Sequence, residues 1–192
     1  MKGQIEMNAT PDDSVRDFEA YLVVTMKYVV LGNEANLAAK LEEHGLSLED
    51  AERIHQRIAG LFDEASSRFE CLKELVGGAR DPNALSLTYQ SVLWPDFEFT
   101  AIADSSGGLG SAEYRRATGK AQKAPSPREQ APWSMEVSEF ADAFGPVTSR
   151  DRTPLFDEIV PAHDYLEFEW EGRDYAAAFS WGLFLHASML WD

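Results

Sequence analysis

The chain has 192 residues and a single cysteine, Cys71. One cysteine cannot form an intramolecular disulfide, which is typical of a protein that folds in a reducing compartment. We expect no signal peptide, because residues 1–7 are polar and the apolar run 21–31 is short and contains Lys27. We therefore expect a cytoplasmic protein. The uncharged run 175–191 is slightly short for a membrane span and has no basic flank, so we expect buried strands there and no membrane contact.

Basic residues are scarce. The chain has 17 lysines and arginines against 33 aspartates and glutamates, a formal net charge of -16. A surface this acidic is a poor partner for nucleic acid, because phosphate contacts need lysine and arginine. A basic protein is a better partner. The alternative is that the charge serves only solubility.

Motifs for phosphate binding, nucleophilic catalysis and metal binding are also missing. No GxSxG segment is present, and the glycine-rich residues 107–111 match neither GxGxxG nor a P-loop. The four histidines show no paired spacing of the kind that zinc sites use. We expect neither a metal nor a cofactor, and we interpret residues 107–111 as a flexible loop.

The first 78 residues have the pattern of a helical unit. Thr10 and Pro11 predict a helix start, and an apolar stripe continues to Leu31. A second helix is predicted over residues 34–44. Ser47 begins a third and longer helix whose stripe lasts to Val76. The stripe forms a seam that suits packing against the first helix.

Residues 79–192 favour strands. Alternation over residues 85–103 predicts a β-hairpin, and residues 105–132 read as an exposed loop. Ser134 is predicted to cap a short helix over 135–144, and Thr153-Pro154 to begin a further helical turn.

The last part of the chain predicts a second hairpin. Leu166, Phe168 and Trp170 alternate with Tyr165, Glu167 and Glu169, so we expect the first three on a core face. The turn is Glu171-Gly172. The second arm, 175–191, can be one strand, two strands divided at Gly182, or a helix.

The fold class that follows is α+β. A helical hairpin or three-helix layer (residues 1–78) packs on an antiparallel sheet of four or five strands (residues 79–192), within one compact domain.

The leading functional hypothesis is a protein that binds and neutralises a basic partner, in the manner of an immunity protein, an antitoxin or an inhibitor. A rigid acidic surface with aromatic anchors gives fast and specific association. We expect that surface to consist of Glu136, Glu139, Asp142, Asp157, Glu158, Tyr165, Glu167, Glu169, Glu171 and Trp133.

Two alternatives stay open. One is a small enzyme whose site is assembled around His163, Glu167 and His186. The other is a structural subunit that assembles through the helical seam.

Overall fold

The structure is a computed structural model, and it describes residues 11–26, 34–77, 83–154 and 161–190. Five helices and seven strands occur in these ranges, together with a 3₁₀ turn at Pro127–Glu129. The helices are α1 (Pro11–Met26), α2 (Glu34–Glu42), α3 (Leu48–Glu64), α4 (Arg68–Leu75) and α5 (Val137–Phe144). The strands are β1 (Ser86–Gln90), β2 (Phe97–Ala103), β3 (Leu109–Arg116), β4 (Val147–Pro154), β5 (Pro161–Trp170), β6 (Arg173–Ser180) and β7 (Leu183–Met189).

The α+β class is confirmed. The strands form two antiparallel sheets, ordered β1-β2-β3 and β4-β5-β6-β7. Four of the five helices precede the first strand. Segregated helices and strands are the pattern expected for this class.

The predicted third helix is divided in two. Ser47 caps α3 as expected: its Oγ accepts a hydrogen bond from Asp50 N at 3.1 Å, and its N donates to Asp50 Oδ2 at 3.1 Å. The prediction of one helix to Val76 is wrong, because Ser67 caps a separate helix by accepting from Glu70 N at 3.2 Å. Serine side chains compete for backbone hydrogen bonds inside a helix and favour a cap instead.

The first two helices are close to their predicted bounds. α1 starts at Pro11 as predicted, whereas its predicted C-terminal part, residues 27–31, lies outside the described residues. α2 ends at Glu42, two residues before the predicted end.

The hairpin predicted over 85–103 is confirmed as β1 and β2, paired from Ser86↔Ile102 to Gln90↔Glu98. The exposed loop predicted over 105–132 is wrong, because β3 lies inside it and pairs with β2. Ala112 and Tyr114 of β3 are buried. Glu113 and Arg115, on either side of Tyr114, lie on the wet face, and this hid the strand pattern.

The rest of that predicted loop is held by Gln130, whose side chain is buried. Its Oε1 accepts from Ala124 N at 2.9 Å, and its Nε2 donates to Gln122 O at 3.0 Å. One buried amide therefore fixes the course of a segment that has few apolar residues.

α5 starts at Val137 and not at the predicted Met135. Glu136 and Glu139 form its capping box, whereas the Ser134 hydroxyl donates to Ala131 O at 2.5 Å. The helical turn predicted at Thr153-Pro154 is also wrong, because both residues belong to β4. A residue that precedes proline is sterically restricted to extended backbone, which suits a strand.

The closing hairpin follows the predicted alternation. Leu166 and Phe168 are buried and Trp170 is half-buried, while Glu167 and Glu169 are exposed. A second turn at Trp181-Gly182 divides residues 175–191 into β6 and β7. Gly182 has φ 82°, and a Cβ there would lie 3.0 Å from Tyr114 O. Only glycine fits so close to the neighbouring backbone.

Two buried clusters form the core. The first joins α1–α4 to the β1-β2-β3 sheet and takes in Trp181, Leu183 and Leu185. In the second, α5 covers the inner face of the β4–β7 sheet, where the ring of Phe140 lies 5.2 Å from Phe168 and 5.0 Å from Phe184. The opposite, outer face of this sheet carries the alternate residues of β5.

Truncating Phe168 to alanine should lower the free energy of unfolding by about 3–5 kcal/mol, because it empties a site that is 2% exposed in the α5 core. Chemical denaturation measures the loss. The neighbouring Glu167→Ala, on the exposed face, is the matched control and should change the value by less than about 0.5 kcal/mol. Equal losses in the two variants would contradict the assignment of the faces.

Candidate functional site

The outer face of the β4–β7 sheet carries a group of exposed acids around a tyrosine. Tyr165, Glu167 and Glu169 point outward from β5 because the intervening residues point toward α5. Asp151 of β4 lies opposite Tyr165, and Asp174 of β6 lies opposite Glu169. All five side chains are exposed. We call these five residues the acidic strand face.

The pairing of Glu169 with Asp174 places two carboxylates directly opposite each other on neighbouring strands. Such partners have Cβ atoms only about 5 Å apart, and like charges there are destabilising. Within the described ranges, no lysine or arginine forms an ion pair with Glu167, Glu169 or Asp174. The charge on this face is therefore not compensated by the described part of the chain.

Glu136 and Glu139 were predicted to join this surface, and the structure places them elsewhere. Arg116 at the end of β3 donates from its backbone N to Glu136 Oε2 at 3.2 Å, and its guanidinium makes a two-pronged ion pair with Glu139. Its Cζ lies 4.4 Å from the centre of the Phe97 ring. The two glutamates thus connect α5 to the β1-β2-β3 sheet, and only 11% of the Arg116 side chain is exposed.

The other predicted binding residues are scattered. Trp133 is only 8% exposed and its N donates to Phe184 O at 2.7 Å, so its ring is not a surface anchor. Asp142 is exposed on α5, across the sheet from the acidic strand face. Glu171 is exposed in the turn after β5. Asp157 and Glu158 lie outside the described residues.

The structure thus brings together Tyr165, Glu167 and Glu169 from the predicted set. It adds Asp151 and Asp174, which sequence reasoning missed. Asp174 precedes the buried Tyr175, so strand alternation could have placed it on the outer face. Asp151 could not be found in this way, because no strand was predicted in the part of the chain that forms β4.

The residues of the enzyme hypothesis do not converge. His163 is 4% exposed and lies opposite Ser180. Glu167 is four residues further along β5, which is about 13 Å in a strand. His186 lies on β7 opposite Ala178, two strands away from β5, and its partial burial lowers its pKa, which favours the neutral ring.

The most unusual ionisable group is one that sequence reasoning missed, the buried Glu19 of α1. Its Oε2 accepts hydrogen bonds from Val92 N at 2.9 Å and Leu93 N at 2.8 Å, and its Oε1 accepts from the Tyr114 hydroxyl at 3.2 Å. Burial raises the pKa of Glu19, and the hydrogen bonds partly oppose this rise.

A sequence signal for Glu19 exists. Ala20 to Val24 are all at most 2% exposed, so α1 is apolar on every side over this part. A helix that is hydrophobic all round is buried, and an acid within it must be buried and hydrogen-bonded too.

Burial also raises the pKa values of Tyr89 and Tyr114 well above 10, which keeps both phenols protonated beside the Glu19 carboxyl group.

Comparisons of the chain with protein-family models, with curated proteins and with solved structures give no match. Across residues 11–26, 34–77, 83–154 and 161–190, no three histidine, cysteine, aspartate or glutamate side chains are placed to hold a metal ion. None of the helices in the same ranges is both long and apolar enough to cross a membrane.

Glu19→Ala should destabilise the fold by about 2–5 kcal/mol, because it leaves the backbone N–H groups of Val92 and Leu93 buried without an acceptor. Glu19→Gln keeps an oxygen for these groups and is the matched control. Urea denaturation at pH 7 should therefore give a much larger loss for alanine than for glutamine. Similar losses would mean that the side chain only fills space.

The difference in stability between Glu19→Gln and the native chain should also depend on pH. Because folding raises the pKa of Glu19 above its ordinary value of 4.5, the folded state binds the proton more tightly. The stabilisation that follows from the raised pKa of Glu19 is fully present at pH values below 4.5. It is lost as the pH rises through the pKa that Glu19 has in the folded state. The stability of Glu19→Gln relative to the native chain should therefore increase with pH over this window. A flat or falling difference would contradict burial of the charge.

Asp174→Lys should raise the urea midpoint, because it converts the repulsion with Glu169 into an attraction. Asp174→Asn removes only the repulsion and should give a smaller rise. Both gains should shrink in about 1 M salt, which screens exposed charges. A lower midpoint for both variants would show that Asp174 has a favourable partner.

Proposed function

We propose that this chain is a protein-binding module that uses the acidic strand face to bind a basic surface of another protein. The observation that carries the proposal is the set of exposed carboxylates without described cationic partners, with Glu169 set directly opposite Asp174. An arginine or lysine from a partner would relieve this repulsion. Binding would therefore create a favourable ionic contact that the isolated chain lacks.

The geometry of the face suits recognition. Its acids are fixed by strands, and α5 packs behind them, so little ordering is needed on binding. Tyr165 is 39% exposed and lies opposite Asp151. Tyrosine is enriched among the residues that contribute most to binding, because its ring offers contact area and its hydroxyl a hydrogen bond.

The kind of partner follows from the charge. Acidic residues speed association with a basic surface through long-range attraction, and they disfavour acidic partners. A nuclease or another nucleic-acid-binding protein presents such a basic surface. A module that covers it would inhibit that protein, as an immunity protein or an antitoxin does.

A pair of charge-matched variants tests the proposal. The face variant carries Glu167→Lys, Glu169→Lys and Asp174→Lys. The control carries Glu42→Lys, Asp63→Lys and Glu64→Lys, which change the net charge equally. The control sites are exposed near the C-terminal ends of α2 and α3, where lysine is well tolerated.

The partner is identified by pull-down from the native host, purified, and measured by surface plasmon resonance at low salt and at about 0.5 M salt. The face variant should slow association by at least about tenfold at low salt, and high salt should remove most of the difference. The control should lose much less. Equal losses in both variants would show that net charge alone, and not this face, attracts the partner.

A further inference from the structure

A cleft of about 480 Å³ lies between α1, α3 and the segment that joins α2 to α3. Three arginines line it: Arg16 of α1, and Arg53 and Arg57 of α3. This is an unusual concentration in a chain whose net charge is -16. The volume is in the range that binds small molecules.

Two aspartates in the lining position these arginines. Asp17 Oδ2 lies 2.6 Å from Arg57 Nη2, and Asp17 Oδ1 lies 3.3 Å from Arg16 Nη2. Asp50 pairs with Arg53. One carboxylate thus holds two guanidinium groups at one side of the cleft, which gives them a defined orientation.

The guanidinium groups have more donors than these acids use. Each guanidinium has five N–H donors. Among the described residues, Arg16 makes only long contacts, 3.3 Å to Asp17 and 3.3 Å from its Nη1 to Asp13, and its buried Nε has no hydrogen-bond acceptor there. Arg53 and Arg57 line the cleft, and their side chains are 70% and 47% exposed, so their remaining donors are open to solvent and to a ligand.

We propose that this cleft binds the phosphate group of a small phosphorylated molecule. A phosphate dianion offers three acceptor oxygens to several guanidinium groups, whereas a carboxylate is satisfied by a single arginine fork. Leu46 and Ile54 also line the cleft and supply an apolar wall for the carbon part of the ligand. The cleft belongs to the helices, so this proposal stands independently of the acidic strand face.

Isothermal titration with inorganic phosphate and with phenyl phosphate, at ionic strength matched with sodium chloride, tests the site. Both should bind saturably to one site per chain, phenyl phosphate more tightly because its ring contacts the apolar wall. Arg57→Gln should weaken both by about tenfold or more, since it removes a charge-assisted hydrogen bond. Arg115→Gln is the matched control and should leave binding unchanged, because Arg115 is 61% exposed and pairs with Glu113 on β3.

Absence of saturable binding in the native chain would overturn the proposal, as would equal weakening by Arg57→Gln and Arg115→Gln. Urea denaturation shows whether Arg57→Gln keeps the native fold despite the loss of its pair with Asp17. If it does not, Arg53→Gln replaces it, because Arg53 is the most exposed of the three. Unchanged affinity in that folded variant would equally overturn the assignment.

Discussion

The buried carboxylate of Glu19 is the interaction on which the arrangement of this protein depends. It is fully buried, and it accepts hydrogen bonds from the β1–β2 connection and from Tyr114 of β3. An ionised or protonated carboxyl group in this position is costly unless each of its bonds is made. Helix α1 can therefore be buried in only one position relative to the β1-β2-β3 sheet.

The same region also positions the second sheet. Tyr114 N donates to Trp181 O at 2.7 Å, and the Trp181 indole donates from Nε1 to Thr25 Oγ1 at 3.0 Å, which returns to α1. Helix, first sheet and the β6–β7 turn are thus joined in a closed set of bonds around Glu19. This set fixes one end of the β4–β7 sheet and leaves the end that carries Glu167 and Glu169 exposed.

Strand alternation and helix caps, which depend on residues close together in the sequence, predicted several elements of the fold correctly. Alternation placed Leu166 and Phe168 in the core, and a helix cap placed the start of α3 at Ser47. Strand β3 was missed because a strand with one wet, charged face and a short buried side resembles a loop until its partner is known. Glu19 was missed for a similar reason: the backbone N–H groups that donate to its carboxylate lie 73 and 74 residues away in the chain.

The same limit explains why the predicted acidic surface divided into two kinds of residue. Glu139 and Glu167 look alike in sequence, since each lies beside apolar residues at regular spacing. What separates them is Arg116, which is 23 residues from Glu139 and whose guanidinium pairs with it only because β3 ends beside α5. An acid that meets an internal base contributes to the fold, whereas one that meets none adds to the repulsion within a chain of net charge -16. Glu167, Glu169 and Asp174 are acids of the second kind that share one strand face, where an added cation would turn their repulsion into attraction.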